Sequence, residues 1–364
     1  FIFVESIIEY QIHIRVLKFN PGETVILFVL LFFSSCNFSG GSGQVMTVNG
    51  IIPSSSAGVF LTHEHLLVDF IGADSLSADR WKREEVVQKM LPFLLEAKES
   101  GCQTFVDCTP DYLGRDVLLL QELSKLSGVN ILTNTGFYGA VDNKFVPRFA
   151  FDESAGQLAE RWINEWEHGI GGTTVKPGFI KIGVNSTNLS GMNTKLISAA
   201  AKTHLKTGLV IASHTGPSSL AFEQLSVLQE EGVLPDAFIW VHAQAEKDSV
   251  KRAEAARLGA WISLDGLNED NIPDYIKMIT GMKNENLLHK VLLSHDAGWY
   301  DPAKPGGGEV RGYTALFREL VPALLNNGFT REEVRLLLET NPVKAFEIKV
   351  RKNTNNESLK NFKQ

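Results

Sequence analysis

Five short apolar runs in this chain each lead into a residue able to hold a metal ion. Val59-Phe60-Leu61 precedes His63-Glu64-His65, and Gly178-Phe179-Ile180 precedes Lys181. Leu209-Val210-Ile211-Ala212-Ser213 precedes His214, Phe238-Ile239-Trp240-Val241 precedes His242, and Val291-Leu292-Leu293-Ser294-His295 precedes Asp296. Alternation along a strand puts residues i and i+2 on one face. His63 and His65 therefore point the same way, as paired imidazoles must to grip a metal. Only a closed ring of strands brings five strand ends to one centre. The expected fold is α/β, a TIM (β/α)8 barrel whose parallel closed sheet carries a metal site at its C-terminal face. A doubly wound open sheet is the competing architecture.

The rest of the chain has the matching rhythm. Strand candidates fall at 57–62, 103–107, 129–134, 178–182, 209–213, 237–241, 260–264 and 290–294. They read as nearly continuous apolar runs, as parallel strands buried on both faces do. Segments of helical period lie between and after them, at 80–99, 115–127, 154–168, 193–207, 219–231, 247–258, 273–283 and 313–326. In the first, Val86, Val87, Met90, Leu91, Leu94 and Leu95 form one apolar stripe. Thr330-Arg331-Glu332-Glu333 has the form of a capping box and starts a further helix. With 44% hydrophobic and 21% charged residues in 364 positions, the chain can build one large core. A net charge of −7 without a Lys/Arg cluster argues against a nucleic-acid partner.

The N-terminus reads differently. Arg15 and Lys18 precede the apolar stretch 25–33, which is followed by Ser34-Ser35-Cys36. A basic flank, a short apolar stretch and small residues before a cut describe an export signal. The stretch is too short to span a bilayer comfortably. Small residues before Cys36 resemble a bacterial lipoprotein signal with a lipidated Cys36, although Phe33 stands where that pattern has Leu. Residues 1–35 are thus expected to be an extension and signal, 36–50 a Gly/Ser-rich flexible tether, 51–350 the barrel domain and 351–364 a polar tail. Residues 1–17 do not fit a signal and read as an over-extended start. The expected location is the bacterial cell envelope, through a lipid anchor. The alternatives are a cytoplasmic protein and an N-terminal segment that is buried or anchors the chain in a membrane. Cys102 and Cys108 flank one strand, about 20 Å apart, too far for a disulfide. Cys108 either lines the pocket or fills the core.

Lys181, between Ile180 and Ile182, is the odd member of the set. A lysine held neutral by burial and nearby cations can react with carbon dioxide, and the resulting carbamate has two oxygens with which to bridge two metals. The competing reading is a strand-end lysine reaching for solvent.

The order His-x-His, Lys, His, His, Asp at successive strand ends resembles the amidohydrolase superfamily and, within it, the phosphotriesterase family with its phosphotriesterase-related lactonases. The carrying segments are 61–69 (Leu-Thr-His-Glu-His-Leu-Leu-Val-Asp), 178–182, Ser294-His295-Asp296 and Thr340-Asn341-Pro342, and the likeness spans about residues 46–348. The resemblance implies a binuclear metal-dependent hydrolase. His63, His65 and Asp296 would hold one divalent metal, His214 and His242 the other, and carboxylated Lys181 with a hydroxide would bridge them. Zinc is the usual metal, though imidazole and oxygen ligands do not settle its identity. Asp296 would take up and pass on a proton as the hydroxide attacks an ester-like bond of a small molecule, a lactone or carboxylic ester ahead of a phosphotriester. His295 points to the other face of its strand and reads as packing or a partner to a ligand. A homodimer is also expected. The rivals are an organophosphate phosphotriesterase of the aryldialkylphosphatase kind and a non-catalytic barrel that binds a ligand.

The chain departs from its relatives near the site. Ala245 stands where phosphotriesterases and acyl-homoserine lactonases carry Asp, and Gly266 where they carry His or Arg. Four further residues are substrate-binding candidates. Asp265 matches the relatives and is expected near the pocket floor. Tyr138 matches a tyrosine over the metals in the lactonases, or simply closes the barrel top. Trp299 and Tyr300, in the loop 297–312, suggest an apolar leaving group. Lys304 and Arg311 of that loop are either anion receivers or solvated charges.

Overall fold

The structure, a computed structural model, describes residues 43–185 and 187–353. The chain divides after Gly41 into two units, and the described residues all belong to the second. The expected signal, Cys36 and the end of the tail lie outside them.

Twelve strands are present among the described residues. β1 (Gln44–Thr47) and β2 (Gly50–Pro53) form an antiparallel hairpin. The others are β3 (Phe60–Leu67), β4 (Thr104–Asp107), β5 (Asn130–Leu132), β6 (Asn134–Thr135), β7 (Phe179–Gly183), β8 (Ile211–His214), β9 (Phe238–Val241), β10 (Trp261–Leu264), β11 (Val291–Leu293) and β12 (Gly298–Tyr300). All pairings from β3 onward are parallel, in the orders β11-β10-β9-β8-β7-β6 and β12-β3-β4-β5. The two sheets are halves of one TIM barrel. At one junction, β5 and β6 are a single strand interrupted at Thr133. At the other, β3 meets β11 without a ladder. The Thr62 hydroxyl donates to the Leu293 carbonyl at 3.0 Å, and Asp296 N donates to the His63 carbonyl at 3.0 Å.

Phe60, Val106, Leu132, Phe179, Val210, Ile239, Trp261 and Leu292, one from each strand position of the ring, pack into a single buried cluster. They fill the barrel as alternation requires. Two residues further along β7, the same alternation turns Lys181 into the barrel above Phe179.

Helices α1 (Arg83–Glu99), α2 (Val117–Ser127), α4 (Ala155–His168), α5 (Gly191–Thr207), α6 (Ser218–Glu230), α7 (Ser249–Leu258) and α8 (Ile272–Asn284) cover the outside, with a short α3 (Phe149–Asp152) before α4. Local chemistry sets their starts. Ser154 and Ser190 form capping boxes at α4 and α5, and Thr330 does the same for α10 (Arg331–Arg335), as its sequence predicts. The expected helix 313–326 is a π-turn at Leu316–Leu320 running into α9 (Val321–Asn326).

Two expectations need correction. The tether was expected to reach residue 50, but 44–50 belong to the hairpin. Val45 joins the barrel-filling cluster beside Phe346, and Met46 and Val48 are buried too, so this stretch closes the barrel instead of linking to it. The polar tail was expected from 351, but Arg351 is 4% exposed, its main-chain N donating to His204 Nε2. Cys102 and Cys108 are free and buried, as their spacing requires.

Candidate metal centre

β3 does not stop before His63. It continues to Leu67, and its pairing with β4 slips between Leu61 and Glu64. That irregularity resets the alternation, so Phe60, His63 and His65 all face the barrel interior while Glu64 faces away. His65 Nε2 lies 3.0 Å and His63 Nε2 3.5 Å from Asp296 Oδ1. Each ring is fixed by its other nitrogen: His63 Nδ1 sits 3.0 Å from Asp265 Oδ2, and His65 Nδ1 2.8 Å from Thr109 Oγ1. Both Nε2 atoms are thereby aimed at one point, the arrangement that outer partners impose on metal-binding histidines.

His242 and Asp296 reach the same place by strained backbone. Val241 already faces the barrel, so regular alternation would send His242 outward. Its φ of 63° turns it back, and Asp296 has φ 51°. Left-handed non-glycine residues are costly and cluster at functional sites. His242 Nδ1 lies 2.7 Å from Asp265 Oδ1, so this one carboxylate orients both His63 and His242. The His214 ring lies 4.5 Å from that of His242 and 5.0 Å from Tyr138. Gly183 permits the last contact, because a Cβ there would lie 2.9 Å from the Tyr138 ring.

The electrostatics are those of a ligand set. Burial and the nearby Lys181 push His63 down to about 4, and burial with His242 pushes His214 well below the usual histidine range. Both imidazoles are thus neutral, as a metal requires. Burial works against charge on Asp296, but His63, His65 and His242 outweigh it and hold the carboxyl below its ordinary range. The Lys181 residue is 2% exposed, and neither its Nζ nor the His214 ring has a hydrogen-bond or ion-pair partner. Both groups face the cavity, where a ligand can meet them. Together with the convergence of His63, His65 and Asp296 within 4.8 Å, they fit a site for divalent cations. The second grouping, His63, His242 and Asp265, is a hydrogen-bonded cluster, since both Nδ1 atoms are engaged with the carboxylate.

All six expected ligands line one cavity of about 280 Å3 at the barrel mouth. Val68, Leu113 and Phe145 form its apolar wall, joined by Tyr138 and Trp299. Trp299 stands edge-on to both His65 and Phe70. Cys108 also lines the cavity.

Other candidates lie elsewhere. Asp265 is fully buried among His63, His242, Ser263 and Gln244, beneath the candidate ligands, and does not itself line the cavity. Tyr300 follows Trp299 on β12, so its ring turns away from the cavity, into the space left by Gly307. Lys304 pairs with Asp301, and Arg311 donates to the carbonyls of Leu267, His295 and Asp296. Neither lines the cavity. The sequence reading missed Glu64, Thr109 and Gln244. Glu64 alone left a trace, as a charge inside a buried strand.

The fold and this donor set define a parallel α/β barrel with a candidate metal centre at the C-terminal ends of its strands. The model of the phosphotriesterase family matches residues 43–346, and the chain belongs to that family. It is 29% identical over 294 residues to the phosphotriesterase homology protein of Escherichia coli strain K12, covering 80% of this chain and 98% of that protein. It is 27% identical over 311 residues to the aryldialkylphosphatase of Saccharolobus solfataricus (81% and 96% covered), and 27% identical over 344 residues to human N-acetyltaurine hydrolase (83% and 97% covered). The crystal structure of the E. coli protein, complexed with phosphate in the active site, superposes with a TM-score of 0.68 at 27% identity, covering 80% of this chain and 99% of that one.

Proposed function

We propose that this chain hydrolyses an ester-like bond, a lactone or carboxylic ester first, at a two-metal centre that His63, His65, Asp296, His214, His242 and a carboxylated Lys181 would hold. One observation carries the reading: a buried lysine whose side chain has no partner faces four imidazoles and one carboxylate at the mouth of the barrel. A carbamate would give Lys181 the negative charge and the partners that an ammonium there lacks. Zinc fits the donors, as do other divalent ions of similar preference.

When bound, such a pair supplies an acidified water and a positive centre that polarises the substrate oxygen. The protein does the rest. Val68, Leu113, Phe145 and Trp299 bury the apolar part of a small substrate and exclude bulk water. The Tyr138 hydroxyl, kept protonated by burial, is a donor for the substrate oxygen as charge develops on it. Asp296, held ionised by its imidazole neighbours, accepts the proton from the water and releases it to the leaving group.

The names of the relatives favour a second reading on the same centre, a phosphotriester or an N-acyl amide as substrate. Metal analysis of the purified chain, followed by turnover measurements on lactones, carboxylic esters, aryl dialkyl phosphates and N-acyl taurines, tests both. Two metals per chain with fastest turnover of a lactone or ester supports the first. Two metals with no turnover of any of them leaves the non-catalytic binding barrel. We further propose a homodimer, tested by sedimentation, and export with a lipid on Cys36, tested by mass spectrometry of the mature N-terminus. Among the described residues no helix is long and apolar enough to cross a membrane.

A further inference from the structure

The loop after β9 meets the end of β10 through two side chains, His242 and Gln244. Gln244 Oε1 accepts from Asp265 N at 3.1 Å, and Gln244 Nε2 donates to Asp265 Oδ1 at 3.1 Å. Gln244 thus reads the main chain and the side chain of one residue at once. That residue is the carboxylate on which His63 and His242 both rest. Asp265 also takes the Ser263 hydroxyl at 2.6 Å and His242 N at 3.2 Å. Of the four residues donating to the carboxylate, only Gln244 also holds the Asp265 backbone.

The neighbouring position is built around this clamp. A Cβ on Gly266 would lie 2.7 Å from Gln244 Nε2 and 3.4 Å from the Tyr275 hydroxyl oxygen. That oxygen accepts from Gly266 N at 2.6 Å, so the backbone beside Asp265 is pinned as well. Gln244 and any side chain at 266 compete for one space.

We propose that Gln244 is a positioning residue for the metal centre: by clamping Asp265 it sets the direction of the His63 and His242 rings, and Gly266 is required because it leaves the room Gln244 occupies. The inference rests on the metal reading above. It does not depend on the substrate.

The test uses the full chain and three variants, Gln244→Leu, Gly266→Ala and the double variant. Cobalt(II) affinity is measured by chelator competition and the visible spectrum of the cobalt-loaded protein is recorded. Partners of metal-binding histidines are typically worth about 10- to 100-fold in affinity. Gln244→Leu should weaken cobalt binding about tenfold and shift the visible bands, which a change in stability alone would not do. Gly266→Ala should do the same by displacing Gln244, which keeps the test alive if Gln244→Leu fails to fold. In the double variant the second change should add nothing, since both remove one contact. A wild-type chain that retains cobalt beside single variants of unchanged affinity and spectrum overturns this proposal alone, as do losses that simply add in the double variant. A wild-type chain that binds no metal overturns the metal reading and this inference with it.

Discussion

Glu64 and His295, 231 positions apart, are joined by a 2.6 Å contact between the carboxylate Oε1 and the imidazole Nδ1. The same carboxylate accepts from Ser294 Oγ, His295 N and Ala297 N, and His295 Nε2 accepts from Leu316 N. This is the seam where β3 and β11 lack a ladder. The residue between His63 and His65 therefore fastens the strand that carries them to the loop that carries Asp296.

Glu64→Gln leaves the volume but replaces an acceptor oxygen with an amide that faces donors. Breaking a buried charged network by changing one member costs about 3 kcal/mol. The variant should unfold at lower denaturant concentration with an unchanged m-value. Loss of less than about 1 kcal/mol would show the seam to be held by other contacts.

Asp296→Asn keeps the shape at the point where His63 and His65 converge and removes the charge. Turnover should fall by about 10^3-fold, the scale of a lost proton acceptor, and the metal content should drop. A binding barrel would keep its ligand affinity. In the same vein, chelator treatment of the wild type should lower its unfolding midpoint, and restored metal should raise it.

His204 gives a pH dependence away from the site. It is buried, its Nδ1 bonded to the Leu209 carbonyl at 2.8 Å and its Nε2 accepting from Arg351 N at 2.9 Å. Burial lowers its pKa below the ordinary 6.5, so the unfolded chain binds the extra proton first. Stability from this group is complete above about pH 6.5 and is lost as pH falls through the lower folded value. Subtracting the stability-against-pH curve of His204→Gln from that of the wild type should leave this acid limb. A flat difference would show that the histidine is not held neutral.

Val141, Asp142 and Asn143 are three successive left-handed residues at the mouth of the cavity, with φ of 54°, 51° and 62°. Val141 is β-branched and 58% exposed, so it carries the strain without the reward of burial. Val141→Asn should stabilise the chain by about 1 kcal/mol. Its effect on KM would report whether this rim touches the substrate.

The order of ligand types along the chain determined the barrel, the family and the six side chains that share its mouth. The strands and their ends are legible from local periodicity and residue chemistry, while the family and the ligand roles came from the resemblance of that order of residues to known relatives; neither needs knowledge of distant neighbours. The third dimension decided the aim. The slip in β3 and the left-handed turns at His242 and Asp296 are backbone choices that no side-chain pattern records. Asp265 was a substrate-binding candidate because it matches the relatives, yet its partners His63, from β3, and His242 and Gln244, from the loop after β9, surround it. Trp299 and Tyr300 looked equivalent until strand alternation sent one to the cavity and the other away. Residues 44–50 looked like linker because small and polar residues outnumber Val45, Met46 and Val48, and only the folded chain gave those three somewhere to be buried, Val45 in the barrel-filling cluster and Val48 in the cluster with Leu119 and Leu120. A residue's type limits the interactions it can make; its neighbours, set by the folded chain, select among them.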